Sequence, residues 1–241
     1  MVRFLRSLWL RIGVAVGIIA FSASATAYEV GPMRVTLVPS AGNITGTIHV
    51  NNDRDVPLPI ELKTFRRIVR DDGSQSFDPV DGQFVIFPPQ VQVAASSSQS
   101  IRFQYVGDPV VTESQAYVIQ VTEVPVTPPG FSGVHFTYNF GVAVYIDPAH
   151  ASDDLTVEGV KREDGSLLMT VRNDGNGYAT LSRKSLTLAS GVSKVTYEPT
   201  DLGTKLENPL VPPHFTRTVE LKNTTIAGSA DISAEFHDIK G

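Results

Sequence analysis

The chain contains no cysteine. That absence excludes a disulfide framework, thiol catalysis, iron–sulfur clusters and cysteine-based zinc sites. Histidine is sparse as well: the five, at 49, 135, 150, 214 and 237, stand apart, with no His-x-x-x-His or His-Glu-x-x-His pair. The spacing offers no metal site. There is no Gly-x-Ser-x-Gly elbow, and Gly130-Phe-Ser-Gly133 reads as a turn. Phosphate-cradling glycine loops are missing, and so is the strand–helix alternation that a dinucleotide site needs. The acid pairs Asp71-Asp72 and Asp153-Asp154 fall in turn-forming stretches, where solvated carboxylates are the rule and a glycosidase pair set across a cleft is not. No catalytic constellation assembles, so the sequence reads as a non-enzyme without a cofactor, one that works by binding.

Long apolar runs are also lacking beyond the start of the chain. Residues 1–11 carry three arginines and no acid, Ile12 to Phe21 are apolar, and Ser22-Ala-Ser-Ala-Thr-Ala27 are small. Basic region, short apolar core and small-residue cleavage triplet describe a secretory signal peptide. Ala23-Ser-Ala25 and Ala25-Thr-Ala27 both fit the triplet; cleavage before Tyr28 is the preferred reading, giving a leader of 1–27. The apolar core falls short of the roughly 20 residues of a membrane span. No stable membrane insertion is expected. Loss of the leader leaves 17 basic against 25 acidic residues, about −8. Such a balance argues against nucleic acid or an anionic membrane as partner.

What is present is a period of two. From Val134 to Ile146 every even position is apolar: Val134, Phe136, Tyr138, Phe140, Val142, Val144, Ile146. This marks a β-strand with one apolar face, and it is longer than the usual five or six residues or so. Shorter alternating stretches precede it at Met33–Val38, Asn43–Val50, Pro57–Phe65, Phe84–Phe87, Ile101–Val106 and Ala116–Val121. Turn formers separate them, among them Asn51-Asn52-Asp53 and Asp71-Asp72-Gly73. No helical stripe appears. Asp147 to Asp154 is short and polar with an early proline and reads as a linker. Beyond it, further short strands and the turn Asn173-Asp174-Gly175 describe a second, smaller sandwich. The expected fold is all-β: two Ig-like β-sandwich domains, 28–147 and 148–241, joined by a short linker.

Four stretches of the first domain resemble one family, the PapD-like periplasmic chaperones of the chaperone–usher pilus pathway. They are Met33-Arg34-Val35; Val50-Asn-Asn-Asp53 with Leu58-Pro-Ile60; Phe84-Val-Ile-Phe-Pro-Pro89 with Ser100-Ile-Arg-Phe103; and Glu113-Ser-Gln-Ala-Tyr-Val-Ile-Gln-Val-Thr-Glu-Val-Pro125. The last of these is the most specific. In the second domain, Leu168-Met-Thr-Val-Arg-Asn-Asp-Gly175, Tyr178-Ala-Thr-Leu181 and Leu210-Val-Pro-Pro213 continue the likeness in order.

The resemblance implies an L-shaped two-domain chaperone of the periplasm. Its partners would be pilus or fimbrial subunits and an outer-membrane usher. It would bind by β-strand addition, lending its last first-domain strand to a subunit that lacks one. Val134, Phe136, Tyr138 and Phe140 are then the donor side chains, with Val142, Val144 and Ile146 kept as core. The loop from Thr127 to Gly133 is short, like the short-loop branch of the family. Arg34 matches the cleft arginine that grips the subunit's C-terminal carboxylate, a charge-assisted role that suits a guanidinium. The family's partner lysine has no match: Gly141, Val142, Ala143 and Val144 occupy its region. Either another cation fills the cleft or the anchor is arginine alone. Asp147 stands where many members have arginine, which deprives Glu113 of its usual partner and leaves the angle between lobes less fixed. The alternative reading is a secreted structural or adhesive module of two Ig-like domains, since fold alone does not set function.

Overall fold

The computed structural model describes residues 28–126, 136–226 and 231–239. The leader read at 1–27, the loop at 127–133 and the donor position Val134 lie outside the described residues.

The first lobe contains β1 (Tyr28–Gly31), β2 (Arg34–Leu37), β3 (Thr45–Asn52), β4 (Leu58–Val69), β5 (Gln75–Pro79), β6 (Phe84–Phe87), β7 (Gln90–Val93), β8 (Ser97–Tyr105), β9 (Gln115–Glu123) and β10 (Asn139–Ile146). One sheet runs β1-β3-β8-β6; the other runs β2-β10-β9-β4-β5, with β7 also on β4. The chain changes sheets between β1 and β2, so one N-terminal segment edges both layers. Alternation then fills the space between layers, with Ile48, Ile60, Phe103, Ile119 and Val144 fully buried. Each such side chain contributes about 1.5–3 kcal/mol on leaving water.

The second lobe contains β11 (Leu155–Glu163), β12 (Ser166–Asn173), β13 (Ala179–Thr180), β14 (Ser185–Ser190), β15 (Ser193–Tyr197), β16 (Leu210–Val211), β17 (Phe215–Leu221) and β18 (Ser233–His237). Its main sheets are β11-β12-β17 and β15-β14-β18, and they enclose a separate core around Leu167, Met169, Leu188 and Val219. Among the described residues, one short α-helix, α1 (Pro199–Lys205), departs from the purely β expectation. Seven residues are too few to show a helical stripe. Its start is set locally by Pro199 and by a reciprocal capping arrangement of Glu198 and Asp201, and it is anchored by buried Leu202.

The two asparagine turns read from the sequence have a common structural cause. Asn52 ends β3 fully buried, and its Nδ2 donates to the carbonyls of Val56, Val93 and Ala94 at 2.9–3.3 Å. Asn173 ends β12 in the same way, donating to Gly177, Val211 and Pro212. In each lobe one buried amide satisfies loop carbonyls that would otherwise be unpaired in the interior.

No strand occurs between Ile146 and Leu155, where the linker was expected. Asp147 accepts a hydrogen bond from Ser114 Oγ at 2.6 Å, next to the Glu113 that was expected to want a cation there. The lobes meet through other contacts. Val69, Ala116 and Tyr145 form a small apolar cluster with Leu210 and Tyr178 of the second lobe. Nearby, the β4–β5 turn lies on Arg217: a Cβ added at Gly73, whose φ is +80°, would sit 2.0 Å from the guanidinium. Apolar packing and this turn join the lobes.

Candidate functional site

Strand β10 divides into two parts. From Ala143 to Ile146 it is sandwiched between antiparallel β9 and parallel β2, in the register Ala143↔Arg34 to Ile146↔Leu37. From Asn139 to Val142 it pairs, among the described residues, with β9 alone. Its other edge is open there. Even positions follow the same division: Val142, Val144 and Ile146 are fully buried, Phe140 packs partly on the core, and Tyr138 and Phe136 are 52% and 75% exposed. The odd face differs again, because Tyr145 is buried between the lobes.

The open part is pinned at its start. Arg54 and Glu123 form a bidentate pair at 2.6 and 2.9 Å, both largely buried, at the end of β9. The Arg54 guanidinium also lies 5.1 Å from the Tyr28 ring centroid. Tyr28 donates its hydroxyl to the Tyr138 carbonyl at 2.8 Å, and the Glu123 amide reaches the same carbonyl at 3.3 Å. The Tyr28 ring meets Phe140 edge-on at 5.0 Å and Tyr138 at 6.2 Å. Burial, followed by the Glu123 charge, pushes the Tyr28 hydroxyl up to about 12 despite Arg54, so it stays a donor. The backbone of Tyr138 is therefore fixed while its side chain faces out.

Arg34 lies in a cleft of about 620 Å³ between the lobes, together with Tyr178, Thr180, Arg183, Lys184 and Asp238. Its guanidinium stacks 4.0 Å from the Tyr145 ring centroid and donates to Thr180 Oγ1 at 3.1 Å. Tyr145 in turn meets Tyr178 edge-on at 5.5 Å. Burial, then the Tyr145 hydroxyl, pushes Tyr178 up to about 12, so the wall beside Arg34 stays neutral. A stacked, half-buried guanidinium with donors facing a cleft is suited to a carboxylate.

Lys184 was not singled out from the sequence. It is the residue after the 3₁₀ turn Leu181–Arg183, it is buried, and it bonds Asp153 at 2.9 Å and Asp238 at 2.5 Å. Burial works against its charge, but the two carboxylates outweigh that and raise its pKa. Locally Arg183-Lys184 resembles any exposed basic pair; only the packing of the lobes brings it beside Arg34. Among the described residues, no three His, Asp or Glu side chains group as a metal site would require.

Residues 29–151 match the model of the pili and flagellar-assembly chaperones, PapD N-terminal domain. The chain belongs to that chaperone family. Among solved structures, the chaperone is similar to the YadV chaperone, at 14% identity and a TM-score of 0.56, over 87% of this chain and 91% of that one. It is also similar to a chain from a chaperone–tip adhesin complex of CFA/I fimbriae, at 14% identity and 0.55, over 87% and 98%. A third likeness is to a chain of the Salmonella enterica SafA pilin–SafB chaperone complex, at 18% identity and 0.54, over 83% and 86%. At these identities the likeness concerns the fold: two Ig-like sandwiches in one chain. No curated protein matches the chaperone. Its role is that of a pili and flagellar-assembly chaperone.

Proposed function

We propose that the chaperone works in the periplasm, binds fimbrial subunits by lending them the strand through Val134, Phe136, Tyr138 and Phe140, and passes them to an outer-membrane usher. Residues 1–27 direct export, and the lobes divide at 28–147 and 148–241. The observation that carries this reading is the open edge of β10. Over Asn139–Val142 the edge has no second strand beside it among the described residues, and the aromatic face continues outward at Phe136 and Tyr138. Such an edge in isolation invites non-specific pairing. Here it supplies main-chain hydrogen bonds to an incomplete subunit while alternate side chains enter that subunit's groove. The pin at Tyr138 limits the freedom the strand must lose on binding. Arg34 grips the subunit's C-terminal carboxylate and sets its register. The family membership and the chaperone–subunit complexes among the similar structures support this over a secreted adhesive module.

The test is periplasmic co-expression of the chaperone with a fimbrial subunit that aggregates on its own. The wild type is expected to give a soluble one-to-one complex. The double variant Phe136→Asp, Tyr138→Asp is expected to give none while its own melting temperature is unchanged. A variant that still co-purifies, or that unfolds as a monomer, overturns the reading.

A further inference from the structure

The two carboxylates on Lys184 are not equivalent. Asp153, in the linker, has a side chain 21% exposed; Asp238, just after β18, has one 85% exposed. One carboxylate balances the charge of one ammonium, so the second is in excess. Asp153 is held within the cleft wall. Asp238 reaches Lys184 from the solvent side, and an exposed carboxylate loses little on returning to water. The surrounding charge points the same way. Arg34, Arg183 and Lys184 line the cleft against Asp153 and Asp238, which leaves it net positive even with Asp238 in place. With Asp238 withdrawn, the site has one further positive charge to satisfy and an acceptor position open beside Lys184.

The strand side of the cleft supplies no charge beside Arg34. Ala143 stands opposite Arg34 in the parallel register and Gly141 precedes it on the same face, so β10 offers short, uncharged side chains there. Lys184, from the other lobe, is the buried ammonium that faces the cavity.

We propose that Lys184 is the second cation of the carboxylate anchor, and that Asp238 is the chain's own placeholder, displaced when a subunit's C-terminal carboxylate enters. This rests on the reading of Arg34 as anchor. The free chaperone then keeps its buried ammonium paired, and binding exchanges one carboxylate for another rather than desolvating a bare charge. Asp238 sets a threshold: a ligand with a free terminal carboxylate competes for the site, whereas a neutral chain end does not.

The probe is a short synthetic peptide of alternating valine and threonine with a free C-terminal carboxylate, compared with the same peptide amidated, by titration calorimetry on the full chain. Asp238→Asn is expected to bind the free-carboxylate peptide about tenfold more tightly than wild type, since it removes the competitor, and to leave the amidated peptide unchanged. Lys184→Met is expected to weaken the free-carboxylate peptide by at least about tenfold, with Lys184→Arg retaining most of the affinity. Asp238 is exposed, so its variant reads the proposal even if Lys184→Met fails to fold. If the wild type does not distinguish the two peptides, or Arg34→Ala leaves the carboxylate preference intact, the anchor reading falls. If Arg34→Ala abolishes the preference while Asp238→Asn binds like wild type, the placeholder falls and the Arg34 anchor stands. If Lys184→Arg and a folded Lys184→Met both bind like wild type, the second cation is not Lys184.

Discussion

The two halves of β10 carry one alternating pattern and have different surroundings. Val142, Val144 and Ile146 face the first core; from Ala143 onward β2 lies on one edge and β9 on the other, and Tyr145 is closed off by the second lobe. Phe136 and Tyr138, just before the strand, continue the same face and are exposed, and Asn139 to Val142 lack β2 along their edge. The difference is set by where β2 begins. The segment spends its first described residues, Tyr28–Gly31, on the other sheet and joins β10 only from Arg34 onward. An alternating stretch is therefore buried or exposed according to what the neighbouring strand leaves uncovered.

The comparison is most sharply tested at the point that holds the open half in place. Glu123→Ala strands the buried Arg54 guanidinium and is expected to destabilise the chaperone by about 3–5 kcal/mol in urea titration. A loss under about 1 kcal/mol would mean the pair is solvated and the pin is not real. Next is the closed half: Ile146→Ala, at a fully buried position, is expected to cost about 2–5 kcal/mol through lost burial and a residual cavity. An exposed-site value there would show that the two halves do not differ.

A smaller effect is expected in alkali. Tyr178, against the closed half, titrates at about 12 when folded and at about 10 when unfolded. Its contribution is complete below about pH 10. Between about pH 10 and 12 the unfolded chain has lost the proton that the folded chain keeps, so stability falls as pH rises. Tyr178→Phe should flatten that fall in urea midpoints measured across the window; an unaltered slope would contradict the burial. The smallest change is expected just ahead of the open half, where Phe136→Ser should alter monomer stability by no more than about 0.5 kcal/mol. A melting shift of several degrees would place Phe136 in the chaperone's own core.

Much of the architecture was legible from alternation and turn residues, because a half-buried strand forces a period of two on its side chains. β3, β4, β6, β8, β9 and β10 fall on alternating stretches. Strands that do not bury one clean face left no such mark: Gln75–Pro79 has no buried residue and Gln90–Val93 has one, and both were missed, as was the four-residue β1. At the site, Arg34 and the donor face were named from the sequence through resemblance to the family. Lys184 and Asp238 were not, since they lie 54 positions apart and neither has a local motif. The Arg54–Glu123 pair spans 69 positions and was equally invisible.

The sequence by itself determined an all-β chain, the absence of thiol chemistry and an alternating apolar face over Val134–Ile146. Of that stretch the described residues form strand only from Asn139 onward, because Phe136 and Tyr138 have no ladder partner to hold them extended. Tertiary structure alone decided where that face passes from core to open edge, because this depends on which segment lies beside it. It also decided which charges share the cleft. Electrostatic partners are selected by distance in space, and here the packing of one lobe on the other brings Lys184 and Asp238 to the same cavity as Arg34.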